Sequence, residues 1–144
     1  MLRDTMKART RCMAIVLLVA IILNGTACTN GKKTRTAKVK DIDYTVVEEA
    51  DLPEEVLKLI EERKDQPFKM SYGSGDYLYI IVGYGKKDTG GYSIKVNDLY
   101  LTENAIYFNT DLLGPVESEK VDYAVSYPYI VVKMEYMDKS IVFE

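Results

Sequence analysis

The hydrophobic and polar positions of this chain form a short apolar run, then a polar stretch, then a long region in which the two kinds of residue alternate. The apolar run Met13–Leu23 has 11 residues. A helix that rises about 1.5 Å per residue cannot cross a hydrocarbon core of about 30 Å at that length. Residues 29–43 follow without apolar periodicity, which predicts a polar linker rather than a regular element.

One segment of the alternating region has helical spacing. Val56, Leu59 and Ile60 recur at positions that share one face of a helix. Asp51, with a glutamate three residues later, has the pattern of a capping box at the start of that helix. The sequence therefore predicts a helix at about 53–64.

From residue 67 onward the pattern changes to strands and turns. The segment Tyr77–Tyr84 is almost continuously apolar, which predicts a central strand covered on both faces. Ile94 and Val96 alternate with polar residues, and the phase shifts at Asn97-Asp98, as it does at a β-bulge. Other strands are predicted at 68–72, 105–110, 121–135 with a bend at Pro128, and 141–143. We expect an α+β, mainly β fold with an antiparallel sheet of about six strands and one N-terminal helix.

The first 27 residues have the three parts of an export signal: a basic start, the apolar run, and small or polar residues before a cleavage point. Thr26 and Ala27 precede Cys28 as they would in the lipobox of an exported lipoprotein, although Gly25 stands where leucine is usual. We predict that Cys28 becomes a lipidated N-terminus that anchors the protein to a membrane outside the cytoplasm. Ordinary cleavage after Ala27 is the alternative.

Charge divides the chain in the same way. Residues 28–40 carry five basic and no acidic side chains, whereas residues 41–144 carry 10 basic and 21 acidic ones. An acidic domain is unsuited to bind nucleic acid, because phosphate binding needs a basic surface. The basic stretch suits either a solvated linker or anionic lipid headgroups. We expect a signal at 1–27, a lipidated linker at 28–43 and one domain at 44–144.

Two segments together resemble a known family. Residues 83–96 are similar to the hairpin G-x-K-x-T-G-G-Y-x-I-x-V of the PrcB C-terminal domain family, and residues 126–133 are similar to its closing strand T-Y-P-Y-x-V-V-K, with Ser126 in place of Thr. The resemblance covers roughly residues 68–135. It implies an exported, non-catalytic subunit that partners a surface serine protease. The residues that carry it are Gly85, Lys86, Thr89, Gly90, Gly91, Tyr92, Tyr127, Pro128 and Tyr129.

The physical interpretation of these motifs is structural. Gly90 and Gly91 can supply positive φ or a close backbone approach in a hairpin. Pro128 lacks an N–H, which indicates a bend or an edge rather than a central ladder position. We therefore expect the motifs to define the fold rather than a site.

The residues for common catalytic chemistry are scarce. The chain has no histidine, which removes histidine-assisted nucleophiles and the commonest zinc ligand. Cys28 is the only cysteine after the signal, and Ser74 lies in a glycine turn. Carboxylates crowd the helical region, but their pattern is typical of a solvated face, and the acidic run 117–122 lacks EF-hand spacing. We expect no catalytic residue, metal or cofactor.

The sequence thus predicts a membrane-anchored accessory subunit that works by binding another exported protein. An alternative is a module that binds a small molecule or cell-wall glycan through its tyrosines, of which there are twelve. Exposed tyrosines in one concave groove would favour that alternative. A third possibility, an acid-dependent enzyme, requires carboxylates clustered in a pocket.

Overall fold

The computed structural model describes residues 37–115 and 123–144, all within one unit of the chain, 35–144. The predicted export signal, Cys28 and the acidic run 117–122 lie outside the described residues. Within the described ranges, no helix has the length and apolar content needed to cross a membrane.

The described residues form eight strands, a short 3₁₀ turn at Glu49–Asp51 and one α-helix, α1, at Glu54–Glu61. The strands are β1 (Lys38–Asp41), β2 (Thr45–Val46), β3 (Pro67–Ser74), β4 (Tyr77–Tyr84), β5 (Ser93–Thr102), β6 (Ala105–Leu113), β7 (Tyr129–Glu135) and β8 (Ser140–Phe143).

These strands form two four-stranded sheets. The order is β1-β5-β6-β8 in the first, called the outer sheet, and β2-β7-β4-β3 in the second, called the central sheet. All neighbouring strands are antiparallel except β6 and β8, which are parallel. The mainly β, α+β class is confirmed. The strands are divided between two sheets because both faces of the central sheet are apolar and each needs a cover.

The larger core lies between the two sheets. Alternate residues of β4 and β7, including Ile80 and Val132, are fully buried against Ile106 and Phe108 of the outer sheet. Phe143 of β8 extends this core with an edge-on contact to Phe108, at 6.4 Å between ring centroids. One polar link also joins the sheets, since the Tyr84 hydroxyl lies 2.9 Å from the Thr110 carbonyl oxygen.

A smaller core lies on the opposite face of the central sheet, under α1. Val56 and Ile60 of the helix are buried against Tyr79, Ile81 and Val131. Strand β4 is therefore covered on both faces, which confirms the sequence prediction for its continuous apolar run. Of the predicted helical stripe, Leu59 does not join this cluster, and its place is taken by Leu57.

Two local predictions concern backbone irregularities. The register between β5 and β6 shifts between Val96 and Asp98, so the predicted bulge is confirmed. The predicted capping box at Asp51 is wrong, because Asp51 belongs to the 3₁₀ turn and Pro53 is the N-cap, without a side-chain hydrogen bond. Proline suits this position, because it has no N–H to leave unsatisfied.

The folded domain begins before residue 44, inside the segment that the sequence analysis assigned to a linker. Lys38–Asp41 pairs with β5, and Ile42 is buried in the larger core. The strand has no apolar alternation because all four of its residues are exposed, Val39 included. It is held by backbone pairing and by the anchor that Ile42 provides, neither of which a hydropathy pattern reveals.

We expect substitutions at Ile80 to test the core between the sheets. Ile80→Ala should lower the free energy of unfolding by about 2–5 kcal/mol, and Ile80→Val by about 0.5–1.5 kcal/mol, because each removes buried methyl groups. Urea denaturation provides the measurement. Ser71→Ala, at an exposed strand position, is the control. An Ile80→Ala protein as stable as the parent would contradict the two-sheet packing.

Candidate functional site

The two sequence motifs meet at one end of the central sheet. The first begins with the last two residues of β4, and the second leads into β7, the antiparallel neighbour of β4. The Tyr84 N–H donates to the Pro128 carbonyl oxygen at 2.9 Å. Lys87 and Ser126 exchange backbone hydrogen bonds of 2.8 and 3.0 Å, which form an isolated bridge. Residues far apart in sequence therefore continue the strand pairing beyond the sheet.

Side chains reinforce this junction. The Ser126 hydroxyl donates to the Thr89 carbonyl oxygen at 2.6 Å, which fastens the tip of the first motif to the second. Since threonine also carries a hydroxyl, the Ser126 variant of the motif preserves this bond. Thr89 thus contributes to the junction through its backbone carbonyl group.

The segment after α1 completes this end of the molecule. The Lys86 N–H donates to the Asp65 carbonyl oxygen at 3.2 Å. The Lys64 ammonium lies 4.9 Å from the centre of the Tyr127 ring, and it also contacts the Glu61 carboxylate, which raises the pKa of Lys64. The contact of residues 64–65 with the motifs could not be predicted from the sequence, because the apolar pattern of the helix does not indicate where its last residues lie on the sheet.

Tyr129 links the second motif to the 3₁₀ turn. Its hydroxyl donates to a carboxylate oxygen of Glu49 at 3.0 Å. Burial, and then this hydrogen bond to a carboxylate, raise the pKa of Tyr129 to about 12. Both effects favour the neutral phenol, so Tyr129 acts as a hydrogen-bond donor and not as a base.

Positive φ in the first motif occurs at Gly85, at 72°, and at Gly91, at 83°. Gly90 does not have positive φ, so the sequence prediction applies to only one of the glycine pair. A Cβ at Gly85 would also lie 2.9 Å from the backbone nitrogen of Pro67, and one at Gly91 would lie 3.0 Å from the Pro115 Cβ. Gly85 therefore has two reasons to be glycine, and sequence reasoning gave it less weight than Gly90.

The junction thus uses its motif residues for structure. Backbone groups of Lys86, Thr89 and Pro128 are engaged in hydrogen bonds, and the Tyr92 ring lies beside Gly114. In residues 37–115 and 123–144, no group of three or more Cys, Asp or Glu side chains is placed to hold a metal ion. The arrangement stabilises the chain reversal at this end of β4 and β7.

A cleft lies at the opposite end of the central sheet. It has a volume of about 340 Å³ and is bounded by the connection from β1 to β2, the start of β4 and the end of β7. Tyr44 and Tyr77 line it and are 40% and 48% exposed. Lys133, the last residue of the second motif, also lines it, and its ammonium lies 4.8 Å from the centre of the Tyr77 ring.

Tyrosine is abundant in the sequence, but its pattern does not distinguish Tyr44 or Tyr77 from the other tyrosines. Tyr77 begins the apolar run of β4, so the pattern assigns it to the core. In the structure it shares a face with Tyr79 and Ile81, both covered by α1, but lies beyond that cover. Tyr77 is exposed and Tyr79 is buried because, of the two, α1 covers only Tyr79.

We expect glycine substitutions in the first motif to affect folding. Gly91→Ala and Gly85→Ala should each lower stability by about 1–3 kcal/mol, because a side chain is strained at positive φ. Gly90→Ala is the matched control and should melt like the parent. Thermal melts provide the measurement. If Gly91→Ala and Gly85→Ala leave melting unchanged but abolish binding of a partner, the motif is a contact site instead.

Comparison with protein families gives one finding that agrees with this geometry. Residues 78–135, from the start of β4 to the end of β7, match the family model described as PrcB C-terminal. Comparison with curated proteins and with solved structures gives no match. The resemblance inferred from the two motifs is therefore confirmed: the segment 78–135, which contains both motifs and the strands between them, matches the model of the PrcB C-terminal family.

Proposed function

We propose that this protein is an exported, membrane-anchored accessory subunit that binds another exported protein and has no catalytic activity of its own. The family match is the observation that carries the proposal, because the family takes its name from a subunit of a surface serine-protease complex. The partner we propose is accordingly an exported serine protease. Export and the lipid anchor at Cys28 rest on the sequence pattern of residues 1–28.

The structure supports a binding role through an open side of the two-sheet domain. Strand β3 is an edge strand of the central sheet, and β8 is an edge strand of the outer sheet. The Lys69 ammonium of β3 lies 5.7 Å from the centre of the Phe143 ring of β8, so the two edges lie on one side. The strand that the sequence predicts at 141–143 is confirmed, and it lies at an edge of the outer sheet.

Strand β3 is the better of the two edges for pairing with a partner. It has eight residues, whereas β8 has four. Every residue of β3 is paired in register with β4, and no described strand lies on its other side. An edge strand without a bulge can accept a strand from another protein.

The register identifies which groups of β3 face outward. Because the Tyr84 N–H points to β7, alternate residues of β4 point to β7 and the others point to β3. Phe68, Met70 and Tyr72 are opposite those others and bond to β4. The N–H and C=O groups of Lys69 and Ser71 therefore point away from the sheet, where a partner strand would bond to them.

We expect Ser71→Pro to weaken the capture of the partner. Proline removes an outward N–H that a partner strand needs, but it breaks no bond to β4. Ser71→Ala keeps the N–H and is the matched control. Crosslinking in intact cells, followed by identification of the captured exported protein, provides the measurement. Thermal melts of each variant separate loss of binding from loss of folding.

If Ser71→Pro folds and captures the protease as well as Ser71→Ala does, this edge is not the binding surface. Lys69→Pro, at the adjacent outward position, gives an independent second test. Deletion of 140–144 is a weaker test, because it also removes Phe143, which packs against Phe108 in the larger core.

We also expect Cys28→Ala to abolish the membrane anchor. Without the thiol, no lipid can be attached, so the protein should remain unprocessed or be released from the membrane fraction. Cell fractionation and gel migration provide the measurement. A Cys28→Ala protein that fractionates and migrates like the parent would show that Cys28 is not lipidated.

A further inference from the structure

The cleft at the end of β4 and β7 has the size and composition of a binding site. Its volume of about 340 Å³ lies within the range of about 300–1,000 Å³ that is usual for small-molecule sites. Ile42, Met134 and Met137 provide the apolar part of its lining, and all three belong to or pack against the larger core. Because these side chains are fixed by the core, the cleft is formed before any ligand enters.

Two aromatic rings are available at this cleft. Tyr44 and Tyr77 are both exposed to solvent, and both line the same cleft. A solvent-exposed tyrosine combines an apolar ring face with a hydroxyl that can form hydrogen bonds, so it suits ligands that are apolar on one side and polar on the other.

The charges of the cleft argue against an ionic ligand. A cation would meet Lys133, whose ammonium already lies over the Tyr77 ring at 4.8 Å. A cation would also meet Lys40, and an anion would meet Asp41, Asp43 and Glu135, which line the same cleft. A neutral ligand avoids both repulsions and can use the ammonium as a donor and the carboxylates as acceptors.

We propose that this cleft binds a neutral saccharide, with sugar rings against Tyr44 and Tyr77 and sugar hydroxyls bonded to Lys133, Asp43 and Glu135. Sugars match this lining because each ring has C–H groups on its faces and hydroxyls around its rim. No residue of β3 lines the cleft, so saccharide binding here and strand addition at β3 would use different residues. For a domain anchored outside the cytoplasm, such a saccharide would be a unit of a cell-surface glycan.

Binding of saccharides to the full chain tests the proposal. The probes are N-acetylglucosamine trisaccharide, maltotriose and insoluble peptidoglycan, and titration calorimetry and pull-down are the measurements. At least one soluble saccharide should bind, and Tyr44→Ala and Tyr77→Ala should each weaken it about tenfold, because each removes one ring contact. Tyr123→Ala, which removes a tyrosine that is 86% exposed and outside the cleft lining, should not change the affinity.

Tyr77→Phe keeps the aromatic face and should retain most of the affinity. It therefore distinguishes loss of the ring contact from any general effect of substitution at this position. Pull-down by peptidoglycan that depends on Tyr77 assigns the source of the saccharide to the cell wall, and binding of soluble saccharides alone assigns it elsewhere. Binding of choline or lysine in this cleft, or saccharide binding that the tyrosine variants leave unchanged, would overturn the proposal. The absence of binding to all three saccharide probes would overturn it as well.

Discussion

The pairing of β4 with β7 is the interaction on which the rest of this structure depends. These two strands supply buried side chains to both cores, one against the outer sheet and one against α1. Their seven paired positions also fix what lies at each end. At one end, the continuation of the pairing brings Lys87 to Ser126 and so joins the two motifs. At the other end, the same strands place Tyr77 beside Lys133 and so form part of the cleft.

The sequence predicted best where one local pattern decides the structure. The apolar run Tyr77–Tyr84 predicted a strand covered on both faces, because neither face of it is polar. The shift at Asn97-Asp98 interrupts an alternation that is otherwise strict. The pattern failed where long-range contacts decide. Strand β1 has only exposed residues and depends on its pairing with β5, so hydropathy assigned it to a linker.

The same distinction applies to the sites. Both motifs could be assigned to one family from the sequence, and their glycines could be identified as turn residues. Which glycine has positive φ could not be predicted, because Gly90 and Gly91 are identical in sequence terms and differ only in the path of the backbone. The cleft could not be predicted either, because the exposure of Tyr77 depends on where α1 ends over the sheet.

Apart from Lys133, the motif residues of the chain are distinct from the surfaces that remain available for binding. The motif residues are engaged in the chain reversal next to β4 and β7, whereas the open β3 edge and the tyrosine cleft are not used by the fold. The β4–β7 pair therefore supports both of the surfaces that we propose for binding. The family match to residues 78–135 covers the strand pair itself, and β3 lies before it in the chain.

The central claim is that a partner strand binds along β3, and amide hydrogen exchange tests it most directly. In the isolated protein, the outward amides of Lys69 and Ser71 should exchange quickly, whereas those of Met70 and Tyr72, bonded to β4, should exchange slowly. In the complex with the captured protease, the outward amides should become as protected as their neighbours. If the complex forms and these two amides still exchange quickly, the partner binds elsewhere and the account is wrong.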